Sequence, residues 1–225
     1  MEDVQELIAR LPHKTIERLS QYRRALLICL EKGKEYIFSH EIAEIQHITA
    51  VQVRRDLMLV GYSGTLRKGY NIRKLIELIS DIIDCHKGIN VAIIGLGNLG
   101  RAVLKYLKNK REKLTIVAGF DIDEDKIGKK YYGIPCYSPA DMQKVVKEKN
   151  IGIAIVTVPP EKTNETAKRL VNAGIKGILN FTSTPMIVPD NIFLEEYDMI
   201  TSIEKVAFYV KQAMLEEWKD NDNKA

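Results

Sequence analysis

The sequence predicts an α/β protein with an N-terminal winged helix-turn-helix, a Rossmann-type doubly wound parallel sheet and a C-terminal dimerisation helix. Three observations predict it. Two short, capped helical patterns and a glycine-rich basic segment open the chain, a buried-strand pattern runs into G-x-G-x-x-G in the middle, and an apolar stripe at helical spacing closes it. The boundaries expected are 1–86 for the winged helix, 87–200 for the Rossmann domain and 201–225 for the last helix with a disordered tail.

At 225 residues the chain can hold one large or two modest domains, since single domains commonly run about 100 to 200 residues. The formal net charge is +4 and unevenly spread: residues 10–74 carry 13 Lys or Arg against 6 Asp or Glu, a surplus of +7, leaving −3 elsewhere. Only the N-terminal part therefore carries a field suited to a polyanion. The three cysteines, Cys29, Cys85 and Cys136, are odd in number and lack metal-type spacing, which argues for a reducing compartment and against a disulfide framework or a metal site. No apolar run approaches 18 residues and the start, MEDVQELIAR, has no signal-peptide core, so a cytoplasmic protein without a membrane partner is expected.

Residues 1–12 read as a short amphipathic arm. A helix follows over 15–30, with Thr15 as N-cap, Ile16, Leu19, Leu26, Leu27 and Leu30 facing a core, and Tyr22, Arg23 and Arg24 on a solvated face. After an extended piece at 36–38, Ser39 can cap HEIAEIQ and Thr49 can cap AVQVRRDLMLV, which ends at Gly61. In the second helix Ala50, Val53, Leu57 and Val60 share one face, and Gln52, Arg54, Arg55 and Met58 the other. Such a helix can enter a major groove, where Arg reads guanine and Gln adenine. Residues 61–70, GYSGTLRKGY, suit a β-hairpin wing that places Arg67 and Lys68 on phosphates or in a minor groove. A helix over 71–84 buries Ile72, Leu75, Ile76, Ile79 and Ile83 and leads to a junction at 85–88, where His86 reads as a polar linker residue.

Val91, Ala92, Ile93 and Ile94 are small or β-branched without alternation, as in a strand buried on both faces. Gly95, Gly97 and Gly100 follow, and a helix with Ala102, Val103, Tyr106 and Leu107 on its apolar face. A second run, Leu114–Phe120, closes at Asp121, 21 residues past Gly100. There an acidic side chain takes the adenosine ribose in a dinucleotide fold. Lys126 to Lys130 form a basic cluster in what reads as a loop near that end. Further expectations are a helix at 139–149, a strand at 152–158 that brings Thr157 and Pro159 to the cofactor crevice, a helix at 163–173, and strands at 177–181 and 196–199. The last helix, 202–218, repeats Ile203, Val206, Ala207, Val210, Met214 and Trp218. That stripe can pack on its own sheet or on a second subunit. The final residues, KDNDNKA, should be disordered.

The motifs TIERLSQYRRAL, TAVQVRRDL, GYNI, GLGNLGRAVLKY, FDIDEDKIGKK, TVP and AGIKGILNF, in this order, resemble the Rex family of redox-sensing repressors. The resemblance implies a non-enzymatic homodimer that binds operator double-stranded DNA when NADH is low and releases it when NADH accumulates. It implies NAD(H) held by Gly95, Leu96, Gly97, Asn98, Leu99 and Gly100 at the pyrophosphate, by Asp121, Ile122 and Lys126 at the adenosine end, and along Thr157, Val158 and Pro159. Tyr106 matches the tyrosine that occupies or leaves the nicotinamide pocket, and Arg24 and Asp198 the switch pair linking the DNA domain to the partner's nucleotide domain. The chain departs from the pattern at Met58, Leu59, the wing residues Arg67 and Lys68, and Thr182 and Ser183, which bears on operator sequence and on redox discrimination. Two other readings stand beside it. One is a regulator responding to another adenine nucleotide or a coenzyme A ester. The other, an NAD-dependent oxidoreductase, is disfavoured because no substrate domain and no acid–base set are visible.

Overall fold

The structure, a computed structural model, describes residues 8, 10–65, 67–85, 87–108 and 113–222, with side chains as far as 215. The expected arm at 1–7 and 9, His86, the Trp218 side chain and residues 223–225 lie outside them. The chain divides into two compact units, residues 1–86 and 87–225.

The first unit is built on α1 (His13–Glu31), β1 (Tyr36–Ile37), α2 (Ser39–Gln46), α3 (Ala50–Leu59), β2 (Tyr70–Asn71) and α4 (Ile72–Ile83). Leu19, Tyr22 and Leu26 of α1 meet Ile42, Val53, Leu57, Leu75 and Ile79 in its core. The expected face of α1 needs correction: Tyr22 and Arg23 are buried, whereas Ile16 and Leu27 are exposed. Carboxylates explain the exchange. The Tyr22 hydroxyl donates to Asp56 at 2.7 Å and the Arg23 guanidinium to Asp84 at 2.8 Å, so two polar side chains enter the interior with partners. The helix starts behind Pro12, leaving Thr15 inside its first turn rather than at the cap.

Ser39 is likewise inside α2, where Glu41 reaches back to accept the Phe38 N–H at 2.9 Å. Thr49 does cap α3, accepting the Gln52 N–H, and Asn71, read as the first helical residue, instead caps α4 by accepting the Lys74 N–H. Strands β1 and β2 pair antiparallel, and the wing turns back on itself through a Thr65–Gly69 bridge just before β2. Gly69 has φ +73°, and a Cβ there would lie 2.5 Å from the Ile37 carbonyl, so the base of the wing admits only glycine.

The second unit holds β3 (Ile89–Ile94), α5 (Asn98–Leu107), β4 (Leu114–Phe120), β5 (Lys130–Tyr131), β6 (Ile134–Tyr137), α6 (Met142–Glu148), β7 (Ile151–Val156), α7 (Thr163–Ala173), β8 (Gly177–Asn180), β9 (Phe193–Glu196) and α8 (Met199–Asp222). The sheet order is β5-β6-β4-β3-β7-β8-β9. All neighbours are parallel except the β5–β6 hairpin. Ala92 and Ile94 join Met142 and Val145 of α6 and Ala167 and Leu170 of α7 on one face. Val91 and Ile93 join Leu104 of α5 on the other. The winding reverses between β3 and β7, which puts the ligand crevice at their C-terminal ends.

Three expectations for this unit change. The segment read as a basic loop contains the β5–β6 hairpin, turned through Tyr132 (φ 51°) and Gly133 (φ 86°). The last strand lies at Phe193–Glu196, three residues earlier than expected, because Leu194 packs against the core while Tyr197 and Asp198 lead into α8. Helix α8 continues through Asp222, so residues 219–222 are helical. Its stripe does not pack on its own sheet: Ile203, Val206, Val210 and Met214 are 50–68% exposed. Among the described residues no helix is long and apolar enough to cross a membrane.

Candidate functional site

Each glycine of the turn has its own constraint. Gly95 has φ +91°, and a Cβ on it would meet the Thr157 carbonyl at 2.8 Å. Gly97, the N-cap of α5, has open space where a side chain would stand. That opening, with the unpaired N–H groups of a helix start, suits an approaching phosphate. Gly100 packs the helix onto the strand so closely that a Cβ would stand 1.9 Å from the Gly95 carbonyl oxygen. Thr157, just past β7, locks the same point, donating to the Gly95 carbonyl at 2.8 Å.

Asp121, at the C-terminal end of β4, is 8% exposed. Its carboxylate accepts from the Leu96 N–H at 2.7 Å, the Asp123 N–H at 2.9 Å and the Lys126 ammonium at 3.1 Å. Burial alone would raise its pKa, but these backbone donors and Lys126 outweigh it and hold the carboxyl below its usual value. The acid thus braces the glycine turn from within. Ribose hydroxyls would share its oxygens with Lys126.

A cleft of about 790 Å³ lies over these groups, lined by Gly95, Gly97, Asn98, Leu99, Asp121, Ile122, Lys126, Thr157, Val158 and Pro159. Three expected residues are not on its wall. Gly100 and Leu96 are buried beneath it: Gly100 has no room for contact, and the Leu96 N–H is spent on Asp121. Tyr106 is 67% exposed and does not line the cleft. It sits nine residues beyond Gly97, about 13 Å along α5 from its start. The cleft also has walls that the sequence reading missed: Ser138 and Pro139 after β6, and Lys162, Glu165, Thr166 and Arg169. The spacing of the last four along one side of the α7 start was the available signal. Thr182 is interior rather than at the cleft, its hydroxyl accepting from Thr163 at 2.9 Å and donating to the Thr184 carbonyl at 3.1 Å. Ser183 is exposed.

In the first unit Arg54, Arg55 and Met58 stand exposed on α3, and Arg67 and Lys68 on the wing. Arg54 donates to the Ser39 hydroxyl at 3.0 Å, and the Lys68 ammonium lies 5.5 Å from the centre of the Tyr36 ring. Gln52 is half-buried, its amide bound to Asp56. Arg24 is exposed on α1. Asp198, exposed at the start of α8, accepts from the Thr201 hydroxyl and the Ile200 N–H, which hold its pKa down. Cys29, Cys85 and Cys136 are free thiols, and no cluster of three metal-binding side chains occurs among the described residues.

Fold and cleft define a class: a winged helix-turn-helix joined in one chain to a Rossmann-type nucleotide-binding domain. Residues 10–57 match the family model "Putative DNA-binding protein N-terminus", and residues 86–184 match "CoA binding domain". The redox-sensing transcriptional repressor Rex of Listeria welshimeri is 35% identical over 206 residues, 92% of this chain and 96% of that protein. That of Lactobacillus acidophilus is 33% identical over 89% of this chain and 95% of that protein. The Rex-family repressor RSP, solved with NAD⁺ and operator DNA, superposes with a TM-score of 0.83 at 30% identity, covering 94% of this chain and 97% of RSP. RSP with NADH gives 0.82 over 92% of this chain and 98% of RSP. The chain belongs to the Rex family of redox-sensing transcriptional repressors.

Proposed function

We propose that the chain is a homodimeric repressor that binds operator DNA when NADH is low and releases it when NADH enters the cleft. The observation that carries this reading is the glycine turn, braced by Asp121 at the crevice of the sheet, in the same chain as a basic winged helix. Residues 1–86 are the DNA-binding domain, 87–200 the NAD(H)-binding domain, and 201–225 the dimerisation helix and its tail. The turn, from Gly95 to Gly100, receives the pyrophosphate, Gly97, Asn98 and Leu99 by contact, Leu96 and Gly100 by shaping the backbone. Asp121 takes the adenosine ribose beside Ile122 and Lys126, and Thr157, Val158 and Pro159 line the path to the nicotinamide. Asp121 and Asp123 together outweigh Lys126, so a 2′-phosphate is disfavoured.

Two apolar surfaces support the dimer. One is the α8 stripe; the other is a groove of about 350 Å³ on the α5 face of the sheet, walled by Leu107, Ile116, Ile153, Leu179 and Phe193. Exchange of α8 between subunits would cover both. Tyr106, standing outside its own cleft, would sense the nicotinamide only through that assembly, and Arg24 would meet Asp198 of the other subunit there. Free thiols and a DNA partner favour the cytoplasm.

Sedimentation should give a dimer, and Val206→Lys with Val210→Lys a monomer. In calorimetry NADH should bind at least tenfold more tightly than ATP or acetyl-coenzyme A. Tighter binding of the coenzyme A ester would select the alternative that the family model over 86–184 raises, and hydride transfer to small carbonyl compounds would reinstate an oxidoreductase. On DNA, Arg55→Ala should cost about 1–3 kcal/mol at the cognate site if it makes a bidentate base contact. Lys68→Ala should instead weaken binding to all duplexes alike and lower the salt slope by about one. Measurement of both variants across a salt series separates the two roles.

A further inference from the structure

We infer that Asp56 is a positioning residue for sequence reading: it fixes the amide of Gln52 so that the carbonyl oxygen is offered to the major groove, selecting a base whose amine faces that groove, adenine first. The inference rests on the reading of α3 as the recognition helix. Asp56 is fully buried beneath the face that carries Arg55 and Gln52. Four donor atoms converge on it: Arg18 Nε at 2.6 Å and Nη2 at 2.7 Å, the Tyr22 hydroxyl at 2.7 Å, and Gln52 Nε2 at 2.9 Å. Arg18 and Tyr22 both come from α1, so the carboxylate is clamped from the core side before Gln52 reaches it.

The charge state decides what Gln52 can present. Burial raises the Asp56 pKa, but the bonds from Arg18, Tyr22 and Gln52 overcome that and hold the carboxyl below its ordinary value. An ionised carboxylate only accepts hydrogen bonds, so the amide must turn its nitrogen inward. The oxygen and the second N–H then remain for a ligand. An untethered glutamine could rotate and offer its amine to an acceptor instead. In the major groove adenine and cytosine show amine donors, guanine and thymine show carbonyl acceptors, and adenine N7 can take the remaining N–H. Gln52 is the third residue of α3, in the N-terminal turn that meets base edges in helix-turn-helix complexes.

Selection from a randomised duplex pool at fixed salt tests this with the full-length chain and the variants Q52L and R18Q/D56N. The double substitution replaces the ion pair by neutral amides, avoiding an unpaired buried charge. The wild type should enrich an amine base at one position of each half-site roughly tenfold or more. Q52L should lose that preference while keeping its salt slope. R18Q/D56N, whose amide at 56 can donate or accept, should relax the same position while the others hold. An unchanged profile in R18Q/D56N would overturn the role of Asp56. Should that variant not fold, Q52L decides on the intact framework: a profile like the wild type's means that Gln52 reads nothing and overturns the inference. Failure of the wild type to bind any duplex at low salt would remove the recognition-helix reading itself.

Discussion

Gly100→Ala is expected to abolish NAD(H) binding and to destabilise the second unit by about 3 kcal/mol, the upper end of overpacking costs. The added methyl would stand 1.9 Å from the Gly95 carbonyl oxygen and 2.7 Å from the Thr157 hydroxyl. Neither can withdraw. Gly95 lies in the left-handed region at the end of β3, and the Thr157 hydroxyl is held by the Ile94 and Gly95 carbonyls. The helix must therefore lift away from the strand, taking the phosphate-facing N–H groups of α5 with it. Gly97→Ala is the control, because its Cβ meets nothing within 4 Å in the protein. It should fold normally and lose nucleotide affinity only through the space that the pyrophosphate would fill. Thermal unfolding with and without NADH separates the two; wild-type stability in Gly100→Ala would show that the turn is not packed as described.

The second large effect is expected at Arg18. Arg18→Met strips the fully buried Asp56 of its cation, leaving only Tyr22 and Gln52 as donors. Breaking a buried pair from one side commonly costs about 3–5 kcal/mol. The lower figure is expected because the Arg18 side chain keeps 21% of its surface in water. The pH dependence fixes the mechanism. In the folded wild type the Asp56 carboxyl is held below its ordinary value of 3.8. Its contribution is therefore present above that pH and lost as pH falls through the lower folded value. In the variant the unpaired carboxylate gains from protonation, so the stability gap should be widest near neutrality and narrow in acid. Denaturant unfolding of both proteins between pH 7 and about 3 reads this. A gap that stays constant across the range would mean that lost packing of the Arg18 stem, not its charge, explains the loss.

Much of the fold was legible because local signals and burial agreed. The unalternating run before Gly95, the cap Thr49 and the α7 boundaries at Thr163–Ala173 stand as read. The misreading of α1 has one cause: polar residues whose partners are far along the chain. Tyr22 and Arg23 look like solvated face until Asp56 and Asp84 arrive, 34 and 61 residues later. Asp121 reads as a ribose ligand, but its bond to the Leu96 N–H, 25 residues back, is visible only once the strands are paired. The β5–β6 hairpin escaped because its turn uses Tyr132 rather than the usual Asn or Asp before Gly133. The cleft was legible at the turn and after β7, where glycine and strand-end patterns speak locally; along α7 the spacing of Lys162, Glu165, Thr166 and Arg169 marks one side of the helix without telling that the sheet leaves that side open. The stripe of α8 was legible as an apolar face, and its exposure is what periodicity alone could not give.

NADH and DNA are expected to favour different arrangements of one molecule. The most direct measurement compares affinity for a selected operator duplex at fixed salt in the presence of saturating NADH and of saturating NAD⁺. NADH should weaken DNA binding roughly 5- to 150-fold, the range of ordinary allosteric coupling, with DNA weakening NADH binding by the same factor. NAD⁺ should leave the complex intact. Equal effects of the two nucleotides, or none from either, would contradict redox sensing by this chain.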